Sequence, residues 1–355
     1  MNILILNRRD LKHPEGGGAE VYTHEIAKSL TEKGVEVTIF CSNYEGALPE
    51  ENIDGIRHLR KGNEITVHFH GFCYAFRHRQ PFDLIIDEFN GLGFFGFFLP
   101  RSMILIHQLY RGFWFRELGP FGVIPYIIEP LLLRCYRKKP AVTVSDSTRM
   151  DLEDMGFTNI HVVMNALNID PLTLIPDKEE KPTLVFLGRL KSTKKPEDAL
   201  IIFRRVKAEI PETRLWVIGR GPEEKNLQKL AMDLPDVTFY DWVPEDQKFD
   251  LLRRAHILLV PGVREGFGIN VIEAASQGTP AIGYDVHGLR DSIRDGVTGM
   301  LATTPEDASE KVIELLQSPS RYQTMQEQCL RYAKDFNWQK RGEEFWEVIR
   351  RYMTK

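Results

Sequence analysis

The sequence predicts an α/β protein built from two Rossmann-like domains. Short segments that consist almost entirely of apolar residues, such as 2–6 and 183–187, have the composition of strands buried in a parallel sheet. Glycine-containing turns and segments with helical spacing of apolar residues follow them, which is the order of a βαβ unit. The length of 355 residues is sufficient for about two domains of ordinary size.

The first half begins with one such unit. After the strand at 2–6, Gly16, Gly17 and Gly18 form a turn, and we expect a helix over 19–33 and a second strand over 35–41. Three glycines would let a ligand approach the backbone closely. The triplet lacks the G-x-G-x-x-G order of a dinucleotide-binding turn, so a plain flexible turn remains an alternative.

Further strands are predicted in the first half at 65–70, 83–87, 102–107, 141–145 and 160–164. His107 ends one of them, at the sheet edge where open α/β sheets bind ligands. His68 and His70 would share one face of the strand at 65–70. Because no third ligand is evident, we interpret them as structural or acceptor-side residues rather than as metal ligands.

The chain between the two halves contains several prolines and charges, and we interpret 169–182 as a linker. The predicted domains are 1–168 and 183–335. A last helix, at about 336–355, carries Trp338, Phe345, Trp346 and Ile349 at helical spacing. We expect this helix to pack back onto the first domain.

The second half repeats the strand–turn–helix order. Gly188, Arg189 and Lys194 lie in the loop after the strand at 183–187, and the two cations have the charge needed to bind a diphosphate. Lys191 or Lys195 could take this place if the loop register differs. Strands at 215–218 and 237–243 follow; the first leads into a turn with Gly219 and Gly221, and the second ends at Val243, next to Trp242.

The stretch after the predicted strand at 257–260 is the most informative part of the chain. Its turn contains Glu265, Gly266, Phe267, Gly268 and Ile269, and a helix is expected to begin near Asn270. A helix N-terminus attracts anions through its free N–H groups and its dipole. Glu273 could instead form a capping box with Asn270, and Glu265 could be an ordinary loop residue.

The order Glu265-Gly-Phe-Gly, then Glu273 eight positions on, resembles the E-x7-E signature of the retaining GT-B glycosyltransferases of family 4 (glycosyl transferases group 1). Gly-Gly-Ala-Glu at 17–20 and Gly-Arg-Leu at 188–190, with a lysine at 194, are similar to other loops of this family. The resemblance extends over nearly the whole chain. It implies the GT-B fold, in which two Rossmann-like domains face a cleft.

The resemblance also implies roles for single residues. Glu265 would lie by the donor sugar, Glu273 would bind the nucleotide ribose, and His107 would contact the donor sugar. Arg189 and Lys194 would bind the diphosphate and take part in catalysis with Glu265 and His107. The remaining donor-binding positions would be Gly17, Gly18, Gly188, Gly219, Gly221, Val243, Gly266, Phe267, Gly268 and Ile269.

The implied donor is a nucleotide-diphosphate sugar, with UDP or GDP as the expected nucleotide, and no cofactor is expected. The sequence contains no Asp-x-Asp, so we expect no catalytic metal. A nucleotide-sugar epimerase of the same fold and a non-catalytic nucleotide-sugar-binding protein remain alternatives. A nicotinamide-dependent oxidoreductase needs G-x-G-x-x-G after a strand, with an acid about 20 residues further on, and we expect neither half to supply it.

The composition of the chain limits the classes of partner and the cellular location that we expect. The net charge of −4 argues against a nucleic-acid binder, and four widely spaced cysteines without a C-x-x-C pair favour a reduced, cytoplasmic protein. No uncharged apolar segment approaches the ~18 residues that span a bilayer.

Region 57–139 differs from the rest of the chain in its charge. It has 12 lysines and arginines against 6 acidic residues, and many aromatic residues lie among them between 89 and 139. We therefore hypothesise an anionic membrane surface, at the inner face of the membrane, or a lipid-linked acceptor as a partner of this region. In this hypothesis Phe113, Trp114 and Phe115 are exposed. The alternative is that the aromatic residues form the core of the first domain.

Overall fold

The computed structural model describes residues 1–354, apart from the side chain of Glu117. Lys355, at the end of the predicted last helix, lies outside the described residues. The chain forms two compact units. Unit 1 comprises Met1–Ala166 together with the residues from Asn337 onward, and unit 2 comprises Leu167–Phe336.

Unit 1 is built on an eight-stranded sheet with the strand order β3-β4-β2-β1-β5-β6-β7-β8. All neighbouring strands are parallel except β3 and β4. Its strands are β1 Asn2–Leu6, β2 Glu36–Cys41, β3 Glu50–Ile53, β4 Ile56–Arg60, β5 Leu84–Glu88, β6 Ser102–Ile106, β7 Ala141–Thr143 and β8 Ile160–Val162. Its first helices are α1 Gly18–Glu32, α2 Val67–Arg77, α3 Phe113–Leu118, α4 Val123–Tyr136 and α5 Asp146–Asp154.

The predicted strand at 65–70 is wrong, because this segment begins helix α2. The side chain of Asn63 accepts hydrogen bonds from the backbone N–H groups of Ile65 and Thr66, at 3.0 and 2.9 Å, and this turn starts the helix. His68 is buried in the helix, and His70 is two positions along, so the two rings do not share a face as they would in a strand.

Unit 2 contains a six-stranded, entirely parallel sheet with the order β11-β10-β9-β12-β13-β14. Its strands are β9 Thr183–Leu187, β10 Arg214–Ile218, β11 Val237–Tyr240, β12 Ile257–Val260, β13 Ala281–Tyr284 and β14 Gly299–Ala302. Its helices are α6 Pro196–Glu209, α7 Glu224–Leu230, α8 Glu245–Arg254, α9 Ile269–Ser276, α10 Leu289–Ser292, α11 Pro305–Leu316 and α12 Pro319–Ala333. The prediction of two parallel-sheet, Rossmann-like α/β domains is confirmed.

The segment interpreted as a linker, 169–182, is anchored to unit 2. The N–H of Leu172 donates to the carbonyl of Ser276 at 2.9 Å. The ammonium group of Lys178 donates to Thr279 Oγ1 at 2.6 Å and to the carbonyl of Arg253 at 2.9 Å. Burial lowers the pKa of Lys178 to about 7. These contacts make the segment part of the packing of unit 2.

The last helix, α13 Trp338–Met353, belongs to unit 1. Phe345 and Ile349 are buried, and the ring of Trp338 meets that of Tyr22, on α1, edge-on at 5.8 Å. A Cβ atom at Gly342 would lie 1.8 Å from Ser29 Oγ, so α13 crosses α1 at a distance that only glycine permits.

Candidate functional site

Most of the predicted donor-binding positions of unit 2 lie in the loops that follow three neighbouring strands. Strands β10, β9 and β12 lie side by side, and the chain order reverses between β9 and β12. The carboxyl edge at such a reversal is where open α/β sheets bind ligands. The loops are bonded to one another: the N–H of Val263, after β12, donates to the carbonyl of Thr193, after β9, at 3.1 Å.

Lys194 and Glu265 meet at this edge. The ammonium nitrogen of Lys194 lies 2.6 Å from both carboxylate oxygens of Glu265, although the two residues are 71 positions apart. The Glu265 side chain is 10% exposed and that of Lys194 is 33% exposed, so the cation has an open side. The backbone N–H of Glu265 donates to the carbonyl of His287 at 3.0 Å, which fixes the turn.

Helix α9 begins at Ile269, and its N-cap is Gly268, which has a φ of 88°. The predicted start near Asn270 is confirmed to within one residue, but Asn270 lies inside the helix and is not its N-cap. Its side chain donates instead to the carbonyl of Leu187, at the end of β9, at 2.9 Å. The N–H of Val271 donates to the carbonyl of Gly268 at 3.0 Å. The N–H groups of Ile269 and Asn270 precede it and have no intrahelical acceptor, so α9 directs these two donors at the carboxyl edge of the sheet.

The capping-box interpretation of Glu273 fails for the same reason, since Glu273 is no longer at the third helical position. Its carboxylate accepts from Lys248, on α8, at 2.7 Å. Burial opposes the charge of Lys248, but Glu273 and Glu245 together raise its pKa. Glu273 is partly buried and its side chain remains 17% exposed.

Close backbone packing explains three glycines at this edge. A Cβ at Gly219 would lie 2.0 Å from the carbonyl oxygen of Gly188, and one at Gly221 would lie 2.3 Å from that of Leu190. A Cβ at Gly288 would lie 2.2 Å from the carbonyl oxygen of Glu265. These glycines allow the loops to touch and hold Glu265 in place.

The other predicted donor-binding residues differ in exposure. Arg189 is exposed, and Gly188, Gly266, Ile269 and Val243 are half-buried. The Phe267 ring is buried and packs against Phe336 at 5.7 Å between ring centroids, so only its backbone is available to a ligand.

Lys195 and Trp242, which adjoin predicted site residues, differ in how available their side chains are to a ligand. Lys195 binds Asp198 at 2.9 Å, which weakens it as the alternative phosphate contact. Trp242, next to Val243, is 71% exposed.

In unit 1, His107 follows β6 at the corresponding edge. Its Nε2 lies 3.0 Å from Glu88 Oε1, and its ring meets that of Tyr22 edge-on at 5.1 Å. Gly17 is the N-cap of α1, and its N–H donates to the Glu20 carboxylate at 2.7 Å. Gly18 is the first residue of that helix. At the N-terminus of α1, one backbone N–H group is thus already hydrogen-bonded to a side chain of the same helix.

One G-x-G-x-x-G sequence is present after all, at Gly91-Leu-Gly-Phe-Phe-Gly96, and follows β5. It leads into a single 3₁₀ turn, Gly96–Phe98, and not into an α-helix. The Asp87 carboxylate accepts from the N–H groups of Phe94 and Gly96, at 2.9 and 2.7 Å. Burial raises the pKa of Asp87 to about 6. Because a carboxylate already takes these N–H groups, the loop is not a phosphate cradle.

One group of side chains within residues 1–354 has the spacing of a metal site: Asp10, Cys41 and His58, whose ligand atoms lie within 4.8 Å of one another. Arg60 Nε donates to Asp10 Oδ2 at 2.6 Å. Burial opposes the charge of Asp10, but His58 and Arg60 lower its pKa to about 2. Burial also raises the pKa of the Cys41 thiol. The carboxylate is neutralised by a guanidinium, which fits a structural ion pair better than a metal site.

The expected exposure of the aromatic run 113–115 is wrong for Phe113, which is only 9% exposed. Trp114 is half-buried and stacks on Tyr110 at 4.7 Å. Phe115 is 43% exposed. The Trp114 indole N–H donates to the Glu129 carboxylate at 3.0 Å, which also accepts from the N–H groups of Tyr110 and Arg111. A different surface, on α4, is apolar and exposed.

Three residues at these sites were missed: Glu88, Glu129 and Lys248. Glu129 had a signal, because it is a lone acid in the otherwise apolar run 123–133. Glu88 stands at the end of a buried strand, next to Asp87. No sequence signal marked Lys248, since it lies in the strongly charged stretch 244–254, where nothing distinguishes it from a solvated lysine.

Comparison with known proteins gives glycosyltransferases for both halves of the chain. The family model described as "Glycosyl transferases group 1" matches residues 175–335, and that described as "Glycosyltransferase Family 4" matches residues 16–171. The D-inositol 3-phosphate glycosyltransferase of Streptomyces scabiei is 25% identical over 374 residues, which cover 91% of this chain and 84% of that protein.

The trehalose synthase of Pyrococcus horikoshii is 30% identical over 240 residues, which cover 64% of this chain. The match spans only 55% of the length of that synthase. Among solved structures, the sucrose-phosphate synthase from Thermosynechococcus elongatus has a TM-score of 0.82, with 17% identity and 99% of each chain covered. This last likeness concerns the fold.

Proposed function

The chain belongs to the GT-B glycosyltransferases of family 4, and from that premise we propose a reaction. In this reaction the protein transfers a sugar from a UDP- or GDP-sugar to an acceptor hydroxyl, with retention of the anomeric configuration and without a metal. The observation that carries this proposal is the meeting of Lys194, Glu265 and the N-terminus of α9 at one sheet edge of unit 2.

In the proposed reaction the donor diphosphate takes the place of Glu265 on the ammonium group of Lys194. Arg189, which is exposed on the same loop, adds a second cation, and the free N–H groups of α9 add neutral donors. As the glycosidic bond breaks, negative charge grows on the departing diphosphate, and these groups stabilise it. No metal is required for this step. Glu273 binds the nucleotide ribose, and His107 contacts the sugar.

A panel of nucleoside diphosphates and their sugars tests the donor. A ligand at 100 times its dissociation constant stabilises the folded protein by about 2.7 kcal/mol, so the correct nucleotide raises the melting temperature measurably. With that donor and an acceptor library, proton NMR of the product reports the anomeric configuration. Retention, and unchanged turnover in a chelator, are expected. An inverted product would contradict the proposed stereochemistry, and turnover lost in a chelator would contradict metal independence.

The same experiment separates the alternatives. An epimerase would convert the sugar nucleotide into its epimer without an acceptor. A binding protein would show the thermal shift and form no product.

We further propose that unit 1 rests on an anionic lipid surface and takes a sugar or lipid-linked acceptor there. One face of α4 is apolar and exposed, at the helical spacing of Ile124, Ile127, Ile128 and Leu131, and Phe121 just before the helix is 78% exposed. The opposite face is buried and carries Glu129, Leu133 and Tyr136.

Basic residues stand at the end of this apolar face. Arg134, Arg137 and Lys138 are exposed in and just after the last turn of α4. An apolar helix face beside exposed cations is the arrangement that binds anionic bilayers. Within the described part of the chain no helix is both long and apolar enough to cross a membrane.

Co-sedimentation with vesicles tests this surface. The wild type is expected to bind vesicles containing phosphatidylglycerol and to bind pure phosphatidylcholine at least tenfold less. Ile124→Glu with Ile128→Glu should abolish binding. Leu174→Glu, which replaces a 79% exposed leucine of unit 2, is the matched control and should bind like the wild type. Wild-type protein that stays in the supernatant with both vesicle types would refute the proposal.

A further inference from the structure

Glu88 is a buried carboxylate at the carboxyl end of β5 in unit 1, and its side chain is 0% exposed. Three side chains donate to it or contact it. Thr23, on α1, donates to Oε2 at 2.7 Å. Asn90 donates to Oε1 at 3.1 Å, and His107 Nε2 lies 3.0 Å from the same oxygen. Both oxygens are thereby held in fixed positions.

This contact decides where His107 carries its hydrogen. An ionised carboxylate only accepts hydrogen bonds, so the ring nitrogen that faces Glu88, Nε2, has to be the one that bears a hydrogen. In the neutral ring the lone pair is then on Nδ1. The alternative tautomer would set a lone pair against a buried negative charge.

The other nitrogen of His107 faces outward. The His107 side chain is 9% exposed, and its Nδ1 is not among the buried polar atoms that lack a hydrogen-bond partner. The ring cannot turn freely, because Tyr22 packs edge-on against it at 5.1 Å and Glu88 holds the opposite nitrogen. Nδ1 is thus the polar atom that His107 offers to a ligand.

We propose that Glu88 is a positioning residue, which keeps the hydrogen of His107 on Nε2 and presents Nδ1 as an acceptor for a hydroxyl group of the bound sugar. The inference rests on the proposed function for the identity of the ligand, but not for the tautomer. Thr23 and Asn90 support Glu88 in turn. The chain of contacts runs from α1 through Glu88 to the ring of His107.

Asp87 offers a matched control. It is the preceding residue on β5, is equally buried, and also lies at the carboxyl edge. Its side chain points to the other face of the strand, where it binds Phe94, Gly96 and Tyr136 and does not contact His107. Replacing either acid by its amide removes one buried charge of the same strand, but only one replacement touches the histidine.

Nitrogen-15 NMR of the imidazole groups under alkaline conditions tests the tautomer directly. Spectra of the wild type and of His107→Gln assign the signals. The wild type is expected to show a hydrogen on Nε2 and a bare Nδ1. Glu88→Gln should raise the population of the other tautomer, and Asp87→Asn should leave the signals of His107 unchanged. A wild-type His107 with its hydrogen on Nδ1 overturns the inference without any variant.

Turnover provides the second readout. Removing a carboxylate that orients a histidine lowers activity by roughly 10- to 100-fold where the histidine is a metal ligand, and we expect a similar loss of kcat for Glu88→Gln. His107→Asn places an amide near the position of Nδ1 and should retain at least tenfold more activity than His107→Gln. Equal activities would overturn the role of Nδ1. If no donor gives turnover, the proposed function fails while the spectra still decide the tautomer.

Discussion

The two units both place carboxylates at the carboxyl edge of a parallel sheet, but they hold them differently. In unit 2, Glu265 binds Lys194 and Glu273 binds Lys248; the Lys194 side chain is 33% exposed, whereas that of Glu265 is only 10% exposed. In unit 1, Glu88 is fully buried, and its donors are neutral side chains and a histidine.

This difference indicates in which unit an anionic ligand can replace the carboxylate. The ammonium group of Lys194 is partly exposed, and it gives up little when an anionic ligand replaces the carboxylate, because the cation keeps a negative partner. A fully buried carboxylate cannot leave its donors without a large desolvation penalty. We therefore expect this edge of unit 2 to bind an anion and the residues around His107 in unit 1 to form a fixed scaffold.

The largest effect is expected for Glu265→Gln, which removes the exchangeable carboxylate. Loss of a group beside the reacting sugar should lower kcat about 10³-fold, or about 4 kcal/mol in activation free energy. The affinity for UDP should stay the same or rise, since Lys194 loses its competitor. Steady-state kinetics and calorimetry measure the two quantities.

Glu306→Gln, at an exposed glutamate that pairs with Arg205 on the surface of unit 2, is the control for this variant. It should change neither quantity. A parallel loss of UDP affinity in Glu265→Gln would show that Glu265 belongs to the fixed scaffold after all.

A second variant probes the loop packing that brings the charges of unit 2 together. Gly219→Ala places a Cβ 2.0 Å from a carbonyl oxygen at a φ of 137°, and should reduce the free energy of unfolding by about 3 kcal/mol or more. Gly34→Ala, at a φ of 80° in unit 1, meets no atom within 4 Å and should cost only about 1 kcal/mol. Urea unfolding of both variants measures the difference. Equal losses would mean that strain, and not contact, governs both sites.

The smallest expected effect is the loss of stability at low pH that is caused by His68, a buried histidine of unit 1. Burial lowers the pKa of His68 from 6.5 to about 4, so the folded protein keeps His68 neutral while the unfolded chain binds a proton. Stability due to this group is full above pH 6.5 and falls as the pH drops toward 4. Between pH 7 and pH 5 the loss is roughly 2 kcal/mol.

His68→Phe should remove this part of the acid sensitivity, because phenylalanine does not titrate and can pack against Phe94, as the His68 ring does at 4.7 Å. Unfolding free energies at pH 7 and pH 5 give the comparison. His78→Phe, at an exposed histidine, is the matched substitution. An identical slope for His68→Phe and the wild type would show that His68 is protonated in the folded state as well.

Buried strands were the most predictable part of the fold. The predicted bounds 183–187 and 257–260 agree with β9 and β12, because a strand buried on both faces must be apolar throughout. The hairpin of β3 and β4 was missed although its turn, Asp54-Gly55, is a strong hairpin signal with φ values of 52° and 83°. The segment 65–70 failed because side-chain bonds from Asn63, and not periodicity, start α2.

The site was less predictable than the fold, since its contacts join distant residues. The spacing of Glu265 and Glu273 is visible in the sequence, but their pairing with Lys194 and Lys248 depends on which strands are neighbours. Burial of Phe113 similarly depends on tertiary packing, because an aromatic run has the same composition in a core and on a surface.

The affinity for UDP of Lys194→Met, measured by calorimetry beside Lys195→Met, tests the central claim most directly. Lys194 faces the exchangeable carboxylate, whereas the adjacent Lys195 is bound to Asp198. A charge-assisted bond of about 1.5–3 kcal/mol predicts a loss of roughly 10- to 100-fold for Lys194→Met and little change for Lys195→Met. Unchanged affinity in Lys194→Met, or an equal loss in both variants, would contradict the claim that Lys194 binds the donor diphosphate.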